Sequence, residues 1–170
     1  MSNTQSSIPS STKLIDRWAT ARDCWPGGTL AFWNGEELPL PSQVFWPEND
    51  RQVESVFELA RSQHKAVITY GAGSGVCGGA RGTEDALVID TKRLQTIGPL
   101  DVEQLTVEVE AGVNGQHLED WLQERGFTLG HSPSSIWCST VGGWAAARGA
   151  GQFSSYYGVF EDMVLGVSGV

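Results

Sequence analysis

Apolar and polar positions fall into a regular pattern from about residue 41 onward. Gln43-Val44-Phe45-Trp46 is a short apolar run closed by Pro47, which predicts a strand end. Asn49 can cap a helix, with Gln52 three residues on as its capping-box partner. Val53, Val56, Phe57 and Ala60 then recur at i, i+3, i+4 and i+7, giving that helix one apolar face. Ala66-Val67-Ile68-Thr69-Tyr70, rich in β-branched residues, predicts a second strand, so these three segments make one β-α-β unit. Another strand is predicted at Ala86–Asp90, then a turn over Thr91–Thr96. Leu105 to Ala111 alternates with period two, the pattern of a half-buried strand. Asn114 begins a helix whose Leu118, Trp121 and Leu122 share a face, and Gly126 stands where a C′ glycine belongs. From Gly130 the chain is glycine-rich and aperiodic until Met163-Val164-Leu165, where a last strand is expected. The resulting β-α-β-β-β-α-loop-β order predicts an α+β (or α/β) domain over residues 41–170, with mixed sheets flanked by helices. Residues 13–40 read as a helix followed by turns at Pro26-Gly27-Gly28 and Asn34-Gly35. Residues 1–12, rich in Ser, Thr and Gln, read as a disordered tail and not as a signal peptide.

Composition changes this picture little. A 170-residue chain with 40% hydrophobic and 18% charged residues can bury a sizeable core. The net charge of −9 argues against nucleic acid or an anionic membrane as a partner. It does not exclude a phosphate ligand, because backbone N–H groups supply local positive potential. No stretch approaches the roughly 18 apolar residues that span a bilayer. Cys24, Cys77 and Cys138 form no C-x-x-C pair, and His64, His117 and His131 are scattered. These spacings suit neither zinc nor a disulfide framework, so no metal is expected and a cytoplasmic protein with reduced thiols is.

The chemistry begins after the strand ending at Tyr70. Five of the nine residues from Gly71 to Gly79 are glycine, and Gly73-x-Gly75-x-x-Gly78 satisfies the dinucleotide pattern G-x-G-x-x-G. A Rossmann site needs a helix to open at that loop, with an acid about 20 positions on for the ribose. Here Ala80 to Asp85 lead straight into a strand, which leaves no room for a crossover helix, so a nicotinamide-binding domain is disfavoured. Two readings stay open. Successive permissive residues can aim several N–H groups into one concavity, a nest for anionic oxygens, with Ser74 adding a hydroxyl. Alternatively the loop is glycine-rich only because the chain turns between strands.

A second segment runs from Gly130-His131-Ser132-Pro133-Ser134-Ser135 through Ser139-Thr140-Val141-Gly142-Gly143-Trp144 to Arg148, Gly149, Tyr157-Gly158 and Glu161-Asp162. Small hydroxyl residues followed by paired glycines again permit close backbone approach, so the two segments suggest one extended ligand held at two points. With these motifs on view, the chain resembles the FAD-binding, PCMH-type domain of vanillyl-alcohol-oxidase-type flavoproteins. It is nearest to the alkyldihydroxyacetonephosphate synthase branch, through P-x-S-x-x-x-S-T-V-G-G-W, Y-G-x-x-E-D, Tyr70 to Gly75, Ala86 to Leu94 and Val109 to Val113.

The resemblance implies FAD as the cofactor of an FAD-linked oxidoreductase. Thr69, Tyr70, Gly71, Ala72, Gly73, Ser74 and Gly75 would wrap the diphosphate. Pro133, Ser134, Ser135 and Ser139 would line the ribityl and diphosphate portion, with Thr140, Gly142 and Gly143 continuing that wall. Ala147, Arg148, Gly149 and Ala150 would lie near the isoalloxazine or the phosphates. Relatives with covalent flavin attach it through a histidine in the first loop; this loop has none, so noncovalent FAD is expected. Relatives continue into a substrate, or cap, domain, which the sequence to Val170 does not include. A homo-oligomer or a C-terminal domain would then complete the protein. No catalytic residue is assigned. His131 is favoured as a packing or hydrogen-bonding residue over an acid or base, and Arg148 stands between a flavin contact and a surface salt bridge. The competing expectation is an inactive α/β fragment that retains no flavin on its own.

Overall fold

The computed structural model describes residues 7–170. Its larger sheet contains β1 (Ser10–Ser11), β2 (Gln43–Phe45), β3 (Val67–Tyr70) and β4 (Leu87–Asp90), in the order β1-β2-β4-β3. Strands β2 and β3 lie parallel to β4 on its two sides, and β1 pairs antiparallel with β2. Helix α3 (Asp50–Ser62) connects β2 to β3. It starts as the sequence predicts: the Asn49 side chain accepts from Gln52 N at 3.1 Å. The Gln52 side chain reaches one residue further back than a standard capping box and accepts from Glu48 N. The alternation along β4 sends Leu87 and Ile89 to one face, with Phe45, Val56 and Ala60, and Val88 to the other, with Val44 and Tyr70. Both faces are covered, which is why β4 reads as a continuous apolar run.

The chain passes from β3 to β4 through residues 71–86 without a helix. That is the feature which separates this sheet from a doubly wound nucleotide fold. Before β2, the segment predicted as one helix and turns contains two helices, α1 (Leu14–Ala19) and α2 (Pro26–Trp33), joined at residues 20–25. After β4, a 3-10 turn at Thr91–Arg93 leads into a two-stranded antiparallel sheet of β5 (Ile97–Asp101) and β6 (Thr106–Val109). Helix α4 (Gly115–Gln123) packs Leu118 and Leu122 against Ile97, Leu100 and Val109 of that sheet. Three short helices close the described chain: α5 (Val141–Ala147), α6 (Ser154–Tyr157) and α7 (Phe160–Met163). Among the described residues no helix is long and apolar enough to cross a membrane.

The α+β class and the order of elements from β2 to β4 follow the sequence, and four local readings need correction. The tail prediction is wrong at Ser10–Ser11, which pair with Phe45 and Val44, while Pro9 O accepts from Trp46 N at 2.8 Å. Residues 1–6, also assigned to the tail, lie outside the described residues. Strand β5 falls between the predicted turn and the strand from Leu105, where no element is expected; its pairing tolerates Gly98-Pro99 by shifting register between Ile97 and Leu100. Helix α5 lies in the segment read as a loop. Gly142 and Gly143 are poor helix formers, but the Thr140 hydroxyl caps them by accepting from Gly143 N at 3.3 Å. The strand expected at Met163 is replaced by the end of α7, held by Val159 N donating to Asp162 Oδ2 at 2.9 Å. Val164 has extended dihedrals, but residues 164–170 pair with no strand among the described residues.

Candidate functional site: a glycine loop meeting a capped helix

The Gly71–Gly79 loop leaves the C-terminal end of β3, where ligands collect in sheets of parallel strands. Its position is fixed from the α1–α2 connection. Cys24 N donates to the carbonyls of Gly73 and Gly75 at 3.0 and 2.9 Å, and Gly82 N donates to Ala21 O at 2.8 Å. The Gly73 and Gly75 carbonyls thus point toward protein. The N–H groups do not: among the described residues, none from Gly71 to Gly79 donates to a protein acceptor. Peptide groups without protein partners must face solvent or a ligand. Gly73 takes φ +66, which inverts the chain and sets an alanine Cβ against the Tyr70 hydroxyl. Gly75 and Gly79 have no such reason to be glycine: a Cβ on Gly79 would meet nothing within 4 Å, and on Gly75 only Asp23 Oδ2 at 3.5 Å. Their open side is where a ligand would approach.

Two of the expected first-loop residues serve differently from the others. Tyr70 turns its ring into the core, and its hydroxyl donates to Ala19 O and Arg22 O at 3.2 and 3.3 Å. Burial, with Asp90 adding to it, holds its pKa above the usual phenol value. Tyr70 therefore anchors the loop from beneath. Thr69 is exposed on the edge strand β3, while Ala72 and Ser74 are half-buried in the loop itself.

The second segment reaches the first at one point. A Cβ on Gly71 would lie 2.5 Å from Thr140 Oγ1, closer than side chains tolerate, so glycine is what lets β3 end against the cap of α5. Thr140 is held in turn: it bridges to Asn114, the N-cap of α4, whose Nδ2 donates to Trp137 O at 3.1 Å. Ser139 is buried, accepting from Trp144 Nε1 at 2.8 Å. Val141 N and Gly142 N, at the start of α5, donate to Val113 O and Ala111 O, each at 2.9 Å. Gly142 is also needed for packing, since its Cβ would meet Ala111 Cβ at 2.6 Å. This segment offers a close wall and few free amides, so donation to an anion falls to the first loop.

Pro133 and Ser135 are half-buried and Ser134 is exposed, in the turn leading to Ser139. Ala147 and Ala150 are exposed and Gly149 is half-buried. Arg148, in the left-handed region at φ 51, points to solvent and forms a two-pronged ion pair with Glu161, with Nη2 to Oε1 at 2.8 Å. That pairing raises the Arg148 pKa and lowers that of Glu161. The structure thus places Arg148 in the surface pairing that the sequence left as one of two options. His131 is 2% exposed, with its ring 4.6 Å from that of Trp144 and 5.1 Å from that of Phe160. Neither ring nitrogen has a hydrogen-bond partner, and burial lowers its pKa. It sits at a cleft of about 170 Å³ shared with Gln116, Glu119, Thr128 and Ser132, which no residue of 69–75 or 139–150 lines.

Comparison with known proteins gives this arrangement its context. The family model described as an FAD binding domain matches residues 41–170. An alkyldihydroxyacetonephosphate synthase of Caenorhabditis elegans is 39% identical over 130 residues, 74% of this chain and 22% of that protein. An FAD-linked oxidoreductase of Escherichia coli (strain K12) is 36% identical over 135 residues, 78% of this chain and 28% of that protein. A solved alkyldihydroxyacetonephosphate synthase superposes on 92% of this chain and 29% of its own, with a TM-score of 0.84 at 26% identity. The chain therefore spans between a fifth and a third of the length of these relatives.

Proposed function

Because the chain belongs to the family of FAD-binding domains, we propose that its Gly71–Gly79 loop and its Pro133–Gly143 segment hold the FAD diphosphate and ribityl chain between them. The observation that carries this reading is the row of loop N–H groups without a protein acceptor, seated against the Thr140 cap through Gly71. Gly71 to Gly75 wrap the diphosphate, with Tyr70 supporting them from beneath and Thr69 beside them on β3; Pro133, Ser134, Ser135, Ser139, Thr140, Gly142 and Gly143 form the opposing wall. The chain's net charge of −9 makes backbone amides the main source of attraction for that dianion. Ala147 to Ala150 border the flavin end, with Arg148 reaching it only by leaving Glu161. The cofactor is held noncovalently, since the loop offers no histidine for attachment.

FAD, when bound, accepts and returns the electron pair of a redox reaction; the protein's part is to bind, orient and tune it. The parent activity we propose is that of an FAD-linked oxidoreductase whose substrate is recognised by residues outside this chain. A second reading has its own support: large apolar side chains within and after the second segment are exposed. Trp137 is 76% exposed, Tyr156 85% and Leu165 83%. On that reading the chain alone folds but lets FAD go.

Visible absorbance of the purified chain, before and after adding FAD and desalting, separates the two. Flavin that stays with the protein, and appears in the supernatant after acid precipitation, is the expected result. Flavin that precipitates with the protein refutes noncovalent binding. A colourless chain that is folded by circular dichroism refutes a self-sufficient site.

A further inference from the structure

Below the glycine loop, the C-terminal ends of the three parallel strands converge on one buried carboxylate. Asp90 ends β4 and is 2% exposed. Its Oδ2 accepts from Trp46 Nε1, just after β2, at 3.0 Å, and its Oδ1 accepts from Lys92 N at 3.1 Å. Lys92 then folds its side chain back. Its Nζ lies 2.8 Å from Asp90 Oδ2, 3.0 Å from Gly71 O, and 4.9 Å from the centre of the Tyr70 ring. The ammonium thus joins β4 to the first residue of the loop, on the ring that also supports Gly73. Gly71 is the residue that touches Thr140, so Lys92 grips the seam where the two segments meet.

We propose that Lys92 is a positioning residue for the cofactor site: it holds the Gly71 carbonyl down and so keeps the loop's free N–H groups turned toward the ligand. The proposal rests on the reading of that loop as the FAD diphosphate cradle. The physical reason is geometric. In a tight loop each peptide plane sets the next, and an ammonium–carbonyl bond fixes the first plane of the series. It is charge-assisted, and so stronger than a neutral hydrogen bond. Its position beside Asp90 means Lys92 adds little net charge to the site, so its role is orientation, and direct attraction of the anion is secondary.

The test uses Lys92→Met, which keeps the apolar stem, and Asp90→Asn/Lys92→Met, which also removes the buried charge that the single variant would strand. Backbone amide order parameters for residues 71–75, measured by NMR, report the loop with or without ligand. FAD titration reports the site. In the wild type, order parameters near the rigid value of about 0.85 are expected; in both variants they should fall toward 0.6 or below, with those of α3 unchanged. FAD affinity should fall roughly tenfold or more in both variants; the double variant also loses some stability, because an asparagine can accept from only one of Trp46 Nε1 and Lys92 N, and the unchanged order parameters of α3 show that its fold persists. Unchanged order parameters in the double variant overturn the proposal, whatever happens to FAD. A loosened loop with undiminished FAD affinity overturns it too. If the wild type binds no FAD yet its loop loosens in both variants, the positioning role stands and the cradle reading of the isolated chain fails.

Discussion

Replacing Gly71 by alanine tests whether the two segments meet where the geometry says they do. Gly71 lies outside the left-handed region, so alanine suits its backbone and the effect comes from the added methyl group. That methyl would sit 2.5 Å from Thr140 Oγ1, with Thr140 Cβ at an ordinary 3.6 Å. To make room, the hydroxyl must rotate away from Gly143 N, which releases the cap of α5. A lost cap costs about 1 kcal/mol and local overpacking about 1–3 kcal/mol. Reduced freedom of the unfolded chain offsets about 0.4–1 kcal/mol. The net loss is about 1–3.5 kcal/mol, which lowers Tm by roughly 2–14 °C in a domain of this size. Thr140→Ala alone loses the cap, about 1 kcal/mol. Because the clash is with Oγ1, the double variant Gly71→Ala/Thr140→Ala should cost no more than Thr140→Ala by itself. Urea denaturation of the four proteins gives the cycle. Single costs that add to within about 0.5 kcal/mol in the double variant would show the residues to be independent, and the seam would not exist as described.

Two further outcomes follow from buried and exposed charges. Burial lowers the pKa of His131, so the native chain resists a proton that the unfolded chain accepts below about 6.5. Stability is therefore complete above that value and declines as pH falls from it toward the native pKa. His131→Phe, which keeps a ring against Trp144 and Phe160, should flatten the difference in urea midpoint between pH 7.5 and 5.5; an equal slope in both proteins would exclude His131 as its source. Arg148→Ala should leave Tm where other exposed substitutions leave it, because its pair with Glu161 is exposed. If the same variant also retains FAD as the wild type does, Arg148 has no part in the cofactor site.

The parts of the fold governed by neighbours in sequence were legible before the structure. Asn49, Asn114 and the periodic faces of α3 and α4 act within a few residues, so local chemistry specifies them. The missing crossover helix after Gly79 was readable for the same reason, and with it the exclusion of a Rossmann loop. The family motifs were also carried in plain sequence, since each is a short run of residues. What the sequence left undetermined depends on partners far along the chain. Ser10–Ser11 become a strand only because Phe45 and Val44 are beside them, and Gly98-Pro99 remain in β5 only because β6 absorbs the register shift. The meaning of individual glycines was hidden likewise. Gly142 serves contact with Ala111 and Gly73 serves a turn over Tyr70, whereas Gly75 and Gly79 keep the first loop's open side. Lys92 was visible as part of a motif but without a role, because its carbonyl partner at Gly71 belongs to a loop 21 residues earlier, after another strand. Spacing and polarity fix which elements form; which residues of separate elements touch is decided by packing, where a difference of one methyl group determines what can meet.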